Sequence, residues 1–159
     1  MKKLERLIGK SLREQGLKLA LAESCTGGLL SSMITDVAGS SDYFLGSVVA
    51  YDNGVKQTEL GVKATTLKKY GAVSKETARE MAQGVRKAFH AGISASITGI
   101  AGPGGATARK PVGLVFIAVS NGGKTVVRKF LFKGGRTSIK RQSAEAALLM
   151  IAEALRIKL

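Results

Sequence analysis

Residues 17–30, "LKLALAESCTGGLL", join two apolar runs through a short polar segment that ends in two glycines. The first run, "LKLALA" (17–22), has the length and composition of a short buried strand. The second run opens "GLLSSMITDVAG" (28–39), whose apolar residues recur at helical spacing. A buried strand that leads through a Gly-containing turn into a helix is typical of α/β proteins, and the stretch therefore predicts an α/β fold.

The same patterns extend over the rest of the chain. Further strands are predicted at 44–51, 93–99, 111–120 and 124–132, and helices at 3–15, 53–60, 64–71, 74–92 and 136–159. Helical crossovers join strands 1, 2 and 3, which makes these three parallel. A helix-free loop precedes strand 4 and the tight turn "NGG" (121–123) follows it, so strand 4 runs antiparallel to both neighbours. We predict a three-layer α/β/α sandwich with a mixed five-stranded sheet in the order 2-1-3-4-5.

Length and composition limit the class of protein. The 159 residues contain no linker-like tract and are expected to form a single domain, 1–159. No apolar run could span a bilayer and the N-terminus has no signal-peptide core, so a cytoplasmic location without membrane partners is expected. One Cys and one His exclude an internal disulfide and a Cys- or His-rich metal site.

The formal net charge of +14 favours anionic partners such as nucleotides or nucleic acid. The basic residues are scattered, however, and only three Tyr and five Phe are available for base stacking. This pattern is more typical of a well-solvated basic surface than of a nucleic-acid groove.

Three loops are expected to meet at one edge of the sheet. They are "ESCTGG" (23–28) after strand 1, "DNGVK" (52–56) after strand 2 and "GIAGPGGATARKP" (99–111) after strand 3. With strand 1 central, this edge is a topological switch point, where α/β sheets bind ligands. The residues that could act in catalysis or ligand binding therefore fall in one predicted crevice.

Ser24, directly after strand 1, is either a nucleophile or, like Thr26, a candidate N-cap of the next helix. Gly27 and Gly28 would let the N–H groups of that helix end approach a phosphate or an oxyanion. Cys25 is either a rival nucleophile at the same helix end or a small buried residue, and we favour packing.

A nucleophilic Ser needs a base, and Lys56 lies at the same predicted edge, five residues after Tyr51. Lys56 could act as a base if burial or a neighbouring cation lowered its pKa, and Tyr51 could donate or relay a proton. The alternatives are a solvated Lys on a helix face and an aromatic residue that packs at the end of a strand.

Four segments together resemble the CinA C-terminal domain family, the nicotinamide-nucleotide amidohydrolases. They are "LAESCTGGLL" (21–30), "YFLGSVVAYDNGVK" (43–56), "GAVSKETAREMA" (71–82) and "TGIAGPGGATARKPVG" (98–113). The resemblance implies hydrolysis of nicotinamide mononucleotide to nicotinate mononucleotide and ammonia, in pyridine-nucleotide (NAD) salvage. It also implies a homodimer, a fold similar to anticodon-binding domains, and no metal or organic cofactor. Many family members carry an additional N-terminal domain, and this chain is expected to be the stand-alone form.

The resemblance further implies Ser24 as nucleophile, Lys56 as its general base and Tyr51 as an assisting group. For the phosphate we expect Arg141, with Arg136 as second candidate. Ala106, Ala108 and Arg109 replace residues that are more often Gly, Pro and Glu in the family. The other expected substrate contacts, which include the oxyanion donors, are Thr26, Gly27, Gly28, Asn53, Thr98, Gly99, Gly102, Gly104 and Gly105. The alternative function is a non-catalytic nucleotide- or nucleic-acid-binding module of the same fold.

Overall fold

Helices and strands follow one another in the predicted order in the computed structural model, which describes residues 2–158. The strands are β1 (Leu19–Glu23), β2 (Phe44–Val49), β3 (Ile93–Gly99), β4 (Leu114–Asn121) and β5 (Lys124–Leu131). The helices are α1 (Lys2–Glu14), α2 (Leu29–Thr35), α3 (Asn53–Leu60), α4 (Ala64–Tyr70), α5 (Lys75–Ala88) and α6 (Arg136–Ala154). Several elements are shorter than predicted, most clearly α2 and α6, and the predicted end of α6 at Leu159 lies outside the described residues.

The five strands form one mixed sheet in the order β2-β1-β3-β4-β5. β1 is parallel to β2 and β3, whereas β4 is antiparallel to β3 and β5. At the end of β1, Glu23 is in register with Val49 of β2 and Ile97 of β3. The predicted topology is confirmed, and this register places the loops after β1, β2 and β3 side by side at one edge.

Helices cover both faces of the sheet because successive side chains of a strand point to opposite sides. Leu19 and Leu21 of β1 pack in a core with α1, α2 and α6. Ala20 and Ala22 pack on the opposite face against α3 and α5. The predicted three-layer sandwich is therefore confirmed. In residues 2–158, no helix is long and apolar enough to cross a membrane.

The hydroxyl groups of "ISASITG" (93–99) attach the long helix to the middle of the sheet. Ser94 and Ser96 donate to carbonyl oxygens of α5 at 2.7 and 2.6 Å, and Thr98 donates to Ala72 O at 2.8 Å. Buried polar groups are tolerated when each has such a partner. This strand can therefore be polar at alternate positions and still lie in the interior.

The packing of α3 on α5 depends on Gly84. A Cβ atom built at Gly84 would lie 1.7 Å from the Leu60 carbonyl oxygen, so any side chain there forces the two helices apart. We expect Gly84→Ala to lower the free energy of unfolding by about 3 kcal/mol, as overpacking against fixed backbone does. Urea unfolding measures this. Gly123→Ala is the control, since nothing lies within 4 Å of its Cβ position. Equal stability of the two variants would contradict the packing described.

Candidate active site

A cleft of about 240 Å³ opens at the edge of the sheet where β1, β2 and β3 end. Two larger surface depressions, of about 440 and 390 Å³, include neither Ser24 nor Lys56. The cleft brings together most of the residues that the sequence singled out: Ser24, Tyr51, Asn53, Lys56, Thr98, Gly99, Gly102, Gly104 and Gly105. It does not include Thr26, Gly27, Gly28 or Arg141, and its one lining Arg is Arg136.

Lys56 contacts Ser24 inside the protein. Its Nζ lies 3.2 Å from Ser24 Oγ, and the two residues are 1% and 8% exposed. Lys56 belongs to the first turn of α3, which begins at the Asp52 N-cap, where the carboxylate accepts a hydrogen bond from the Gly54 N–H. Burial lowers the pKa of Lys56, and the nearby Asp52 carboxylate opposes this shift only in part.

Two backbone carbonyls orient the Lys56 amine. Lys56 Nζ donates to Ala50 O at 2.8 Å and to Tyr51 O at 3.3 Å. A neutral amine has two N–H bonds and one lone pair. With both N–H groups directed at the two carbonyls, the lone pair remains for the Ser24 hydroxyl proton. This is the arrangement that a general base requires.

The segment between β1 and α2 shows how this helix is capped. Residues 24–28 form turns, and α2 begins at Leu29, with Gly28 as N-cap at φ 97° and no side-chain cap of its own. The alternative in which Ser24 or Thr26 caps this helix is therefore excluded. The carboxylate of Glu23 caps it instead by accepting from the Gly28 and Leu30 N–H groups. Ser24 Oγ is thus left to Lys56.

Two of the predicted oxyanion donors, the N–H groups of Gly27 and Gly28, are occupied by the protein itself. The Gly27 N–H donates to Ser24 O at 3.1 Å, and the Gly28 N–H donates to Glu23 at 3.1 Å. Thr26 is fully buried and its hydroxyl also donates to Glu23. These two N–H groups are therefore not free to bind a ligand. A Glu at the end of a buried strand, four residues before a Gly pair, is the sequence signal that would have indicated this.

Arg136, at the start of α6, connects the loops that follow β2 and β3. Its Nη1 donates to Gly102 O at 2.7 Å, and its Nη2 donates to Tyr51 Oη at 2.8 Å. Tyr51 is 61% exposed and has little packing around it, so the hydrogen bond from Arg136 holds its hydroxyl at the cleft. Thr98 lines the cleft, but its hydroxyl is directed at Ala72 O.

Comparison with known proteins shows the family to which the chain belongs. The family model of the CinA C-terminal domain matches residues 1–155. The chain belongs to the CinA C-terminal domain family. It is 51% identical over 150 residues to a CinA-like protein of Syntrophomonas wolfei and 49% identical over 152 residues to one of Kosmotoga olearia. These alignments cover 94% and 96% of the chain but only 36% and 37% of the relatives, so the chain spans about a third of their length.

Solved structures of CinA proteins share the fold over the whole length. The competence/damage inducible protein CihA of Agrobacterium tumefaciens superposes with a TM-score of 0.94 at 39% identity, covering 96% of this chain and 94% of that one. The competence damage-inducible protein A of Klebsiella pneumoniae gives the same TM-score at 30% identity, with 98% and 96% covered. The resemblance seen in the sequence motifs is confirmed.

In this CinA domain, Cys25 is a poor candidate for the nucleophile. Burial raises the pKa of its thiol to about 11, and the Glu23 carboxylate adds to the shift, while Arg136 and Lys140 oppose it. A thiol with that pKa is protonated at neutral pH, and only the thiolate attacks readily. Within residues 2–158, no group of three or more His, Cys, Asp or Glu is placed to hold a metal ion.

Proposed function

We propose that this chain is an amidohydrolase that converts nicotinamide mononucleotide to nicotinate mononucleotide and ammonia, with Ser24 as nucleophile and Lys56 as general base. The observation that carries the proposal is the buried contact between Lys56 Nζ and Ser24 Oγ, together with the lowered pKa of the amine. The choice of substrate rests on the resemblance of the sequence motifs to nicotinamide-nucleotide amidohydrolases, and the match to the CinA C-terminal domain supports that resemblance. Ammonia release from nicotinamide mononucleotide tests the proposal.

The reaction divides into acylation and deacylation. Neutral Lys56 takes the Ser24 proton while Oγ attacks the carboxamide carbon, which gives a tetrahedral oxyanion. Collapse breaks the C–N bond, and Lys56 returns the proton, so that ammonia leaves and an acyl ester of Ser24 remains. Tyr51 Oη is a second group that could donate this proton. A water molecule, deprotonated by Lys56, then hydrolyses the ester and releases the carboxylate product.

Backbone N–H groups of the Gly-rich loop are our candidates for the oxyanion donors. Ala101 and Gly102 both line the cleft, and within residues 2–158 their N–H groups have no hydrogen-bond acceptor. They take the place of the Gly27 and Gly28 groups, which the protein itself occupies. One such donor is typically worth about 10²–10³ in rate.

Arg136 is our candidate for the phosphate contact, because it lines the cleft and Arg141 does not. We expect Arg136→Gln to raise KM for nicotinamide mononucleotide about tenfold or more, since a charge-assisted hydrogen bond and the anchor of Tyr51 are both lost. Arg141→Gln, a substitution on the same helix, is the matched control. Steady-state kinetics of the two variants measure the effect. A larger rise in KM for Arg141→Gln would return the phosphate site to Arg141.

The buried Lys56 favours an enzyme over a purely binding module. A buried amine is costly, and no carboxylate forms a salt bridge with Lys56 among the residues described. Perturbed, buried ionisable groups in a cleft are typical of catalytic sites. The net charge of +14 fits either function, since it would attract a phosphorylated small molecule as well as a nucleic acid.

The remaining parts of the proposal rest on the family resemblance and, for the single domain and the cytoplasmic location, on length and composition. We propose that residues 1–159 act as a single domain, as a homodimer, in the cytoplasm and in NAD salvage. Light scattering coupled to size-exclusion chromatography measures the oligomeric state directly. A monomer at assay concentration would contradict the homodimer and leave the rest of the proposal unchanged.

A further inference from the structure

Glu23, the last residue of β1, is a fully buried carboxylate at 0% exposure. Its Oε2 accepts from Thr26 Oγ1 at 2.7 Å and from the Gly28 and Leu30 N–H groups, both at 3.1 Å. Its Oε1 accepts from the Ser31 N–H at 2.8 Å and from Ser31 Oγ at 2.5 Å. No Lys or Arg in residues 2–158 forms a salt bridge with it. The donors that compensate its lost hydration all come from residues 26–31.

These contacts give Glu23 the role that a capping side chain usually has. The N-cap position of α2 is Gly28, which has no side chain to accept a backbone N–H. The carboxylate reaches this helix end from the preceding strand and also meets its partial positive charge. The turn of residues 24–28 is therefore closed by the Glu23 side chain, which precedes the turn in sequence and accepts hydrogen bonds at its C-terminal end.

The peptide group that joins Glu23 to Ser24 is held on both sides by neighbouring backbone. The Ser24 N–H donates to Ile97 O at 3.0 Å, and the Glu23 carbonyl accepts from the Ala50 N–H at 2.8 Å. The Ala50 carbonyl, in turn, accepts from Lys56 Nζ at 2.8 Å. One short network thus joins the turn that carries the nucleophile to the backbone that orients the base.

We propose that Glu23 is a positioning residue for Ser24: its buried carboxylate holds the 24–28 turn against α2 and so keeps Ser24 Oγ within reach of Lys56 Nζ. Glu23 does not line the cleft and cannot contact the substrate. Loss of the carboxylate therefore lowers kcat and leaves KM nearly unchanged. The kinetic part of this inference rests on the proposed function.

The only cysteine of the chain reports on the turn independently of catalysis. Cys25 lies within residues 24–28, is 6% exposed, and has a pKa raised by burial and by Glu23. Opening the turn and removing the negative charge both speed its alkylation by iodoacetamide, because exposure rises and the thiolate fraction increases.

The test uses Glu23→Gln in the full chain, which keeps the side-chain size but directs an NH₂ group at N–H donors. We expect kcat for nicotinamide mononucleotide to fall at least about tenfold with KM within about twofold. We expect alkylation of Cys25 to accelerate at least about tenfold. A folded Glu23→Gln protein with wild-type kcat and a protected Cys25 would overturn the inference, and so would a rise in KM alone.

Thr26→Val and Thr26→Ser keep the test decisive if Glu23→Gln does not fold. Valine retains the shape of Thr26 but removes one donor to Glu23, whereas serine restores it. We expect a several-fold loss of kcat and faster alkylation in Thr26→Val, and values near wild type in Thr26→Ser. Equal values for the two would count against the inference. If wild type releases no ammonia while Cys25 is still alkylated faster in Thr26→Val than in Thr26→Ser, both of which keep the Glu23 charge, the proposed function fails and the role of Glu23 in holding the turn stands.

Discussion

Ser24→Ala is expected to lower kcat/KM for ammonia release from nicotinamide mononucleotide by at least about 10³-fold. The substitution removes the only hydroxyl that contacts Lys56 Nζ among the described residues, so no acyl-enzyme forms. It leaves the 24–28 turn intact, since Glu23 holds that turn through other residues. Ammonia is measured by a coupled assay, and nicotinate mononucleotide by chromatography.

Cys25→Ala is the matched control, one residue along the same turn. Because burial raises the pKa of the Cys25 thiol to about 11, we expect its removal to change kcat/KM by less than about threefold. An inactive Cys25→Ala protein beside an active Ser24→Ala protein would transfer the nucleophile to Cys25. Activity in both single variants would contradict covalent catalysis at this turn.

Lys56→Arg and Lys56→Met are expected to lower kcat by about 10²–10⁴-fold, the usual contribution of general acid–base catalysis. Arginine cannot lose its proton and methionine cannot accept one. In the wild type, kcat/KM rises with pH through the pKa of Lys56, which burial places below its ordinary value of 10.5. A pH–rate profile measures this. A Lys56→Arg enzyme with the wild-type profile would exclude Lys56 as the base.

The same pKa shift predicts a pH-dependent difference in stability. Because the pKa of Lys56 is lower in the folded than in the unfolded chain, the unfolded chain binds more protons between those two pKa values. The free energy of unfolding therefore increases as pH rises from the folded-state pKa of Lys56 to about 10.5. Below this window, the folded protein bears the full destabilisation caused by burying a charged Lys56. Urea unfolding of wild type and Lys56→Met at several pH values isolates the term. Parallel curves would show that the Lys56 pKa is unshifted.

The fold and the place of the cleft could be predicted because they depend on periodicity and connection length. Buried strands joined by helical crossovers admit few topologies, and the "NGG" turn fixes the direction of β4 against β5. Ser24, Tyr51 and Lys56 converge for the same reason, since each follows a parallel strand at the same edge. These features are local in sequence or follow from topology.

The details of the site depended on side-chain packing, which periodicity does not contain. The capping of α2 by Glu23 comes from a strand residue, whereas cap rules consider residues at the helix end itself. The choice between Arg136 and Arg141 depends on helix phase. Five residues turn the helix by about 140°, so only one of the two faces the cleft, and the rotation of α6 about its own axis decides which.

The mass of the acid-quenched enzyme during turnover of nicotinamide mononucleotide tests the proposed mechanism most directly. The account predicts a covalent adduct equal in mass to the substrate minus ammonia, located on Ser24 by peptide sequencing and missing from Ser24→Ala. An adduct on Cys25, or one that persists in Ser24→Ala, would contradict it.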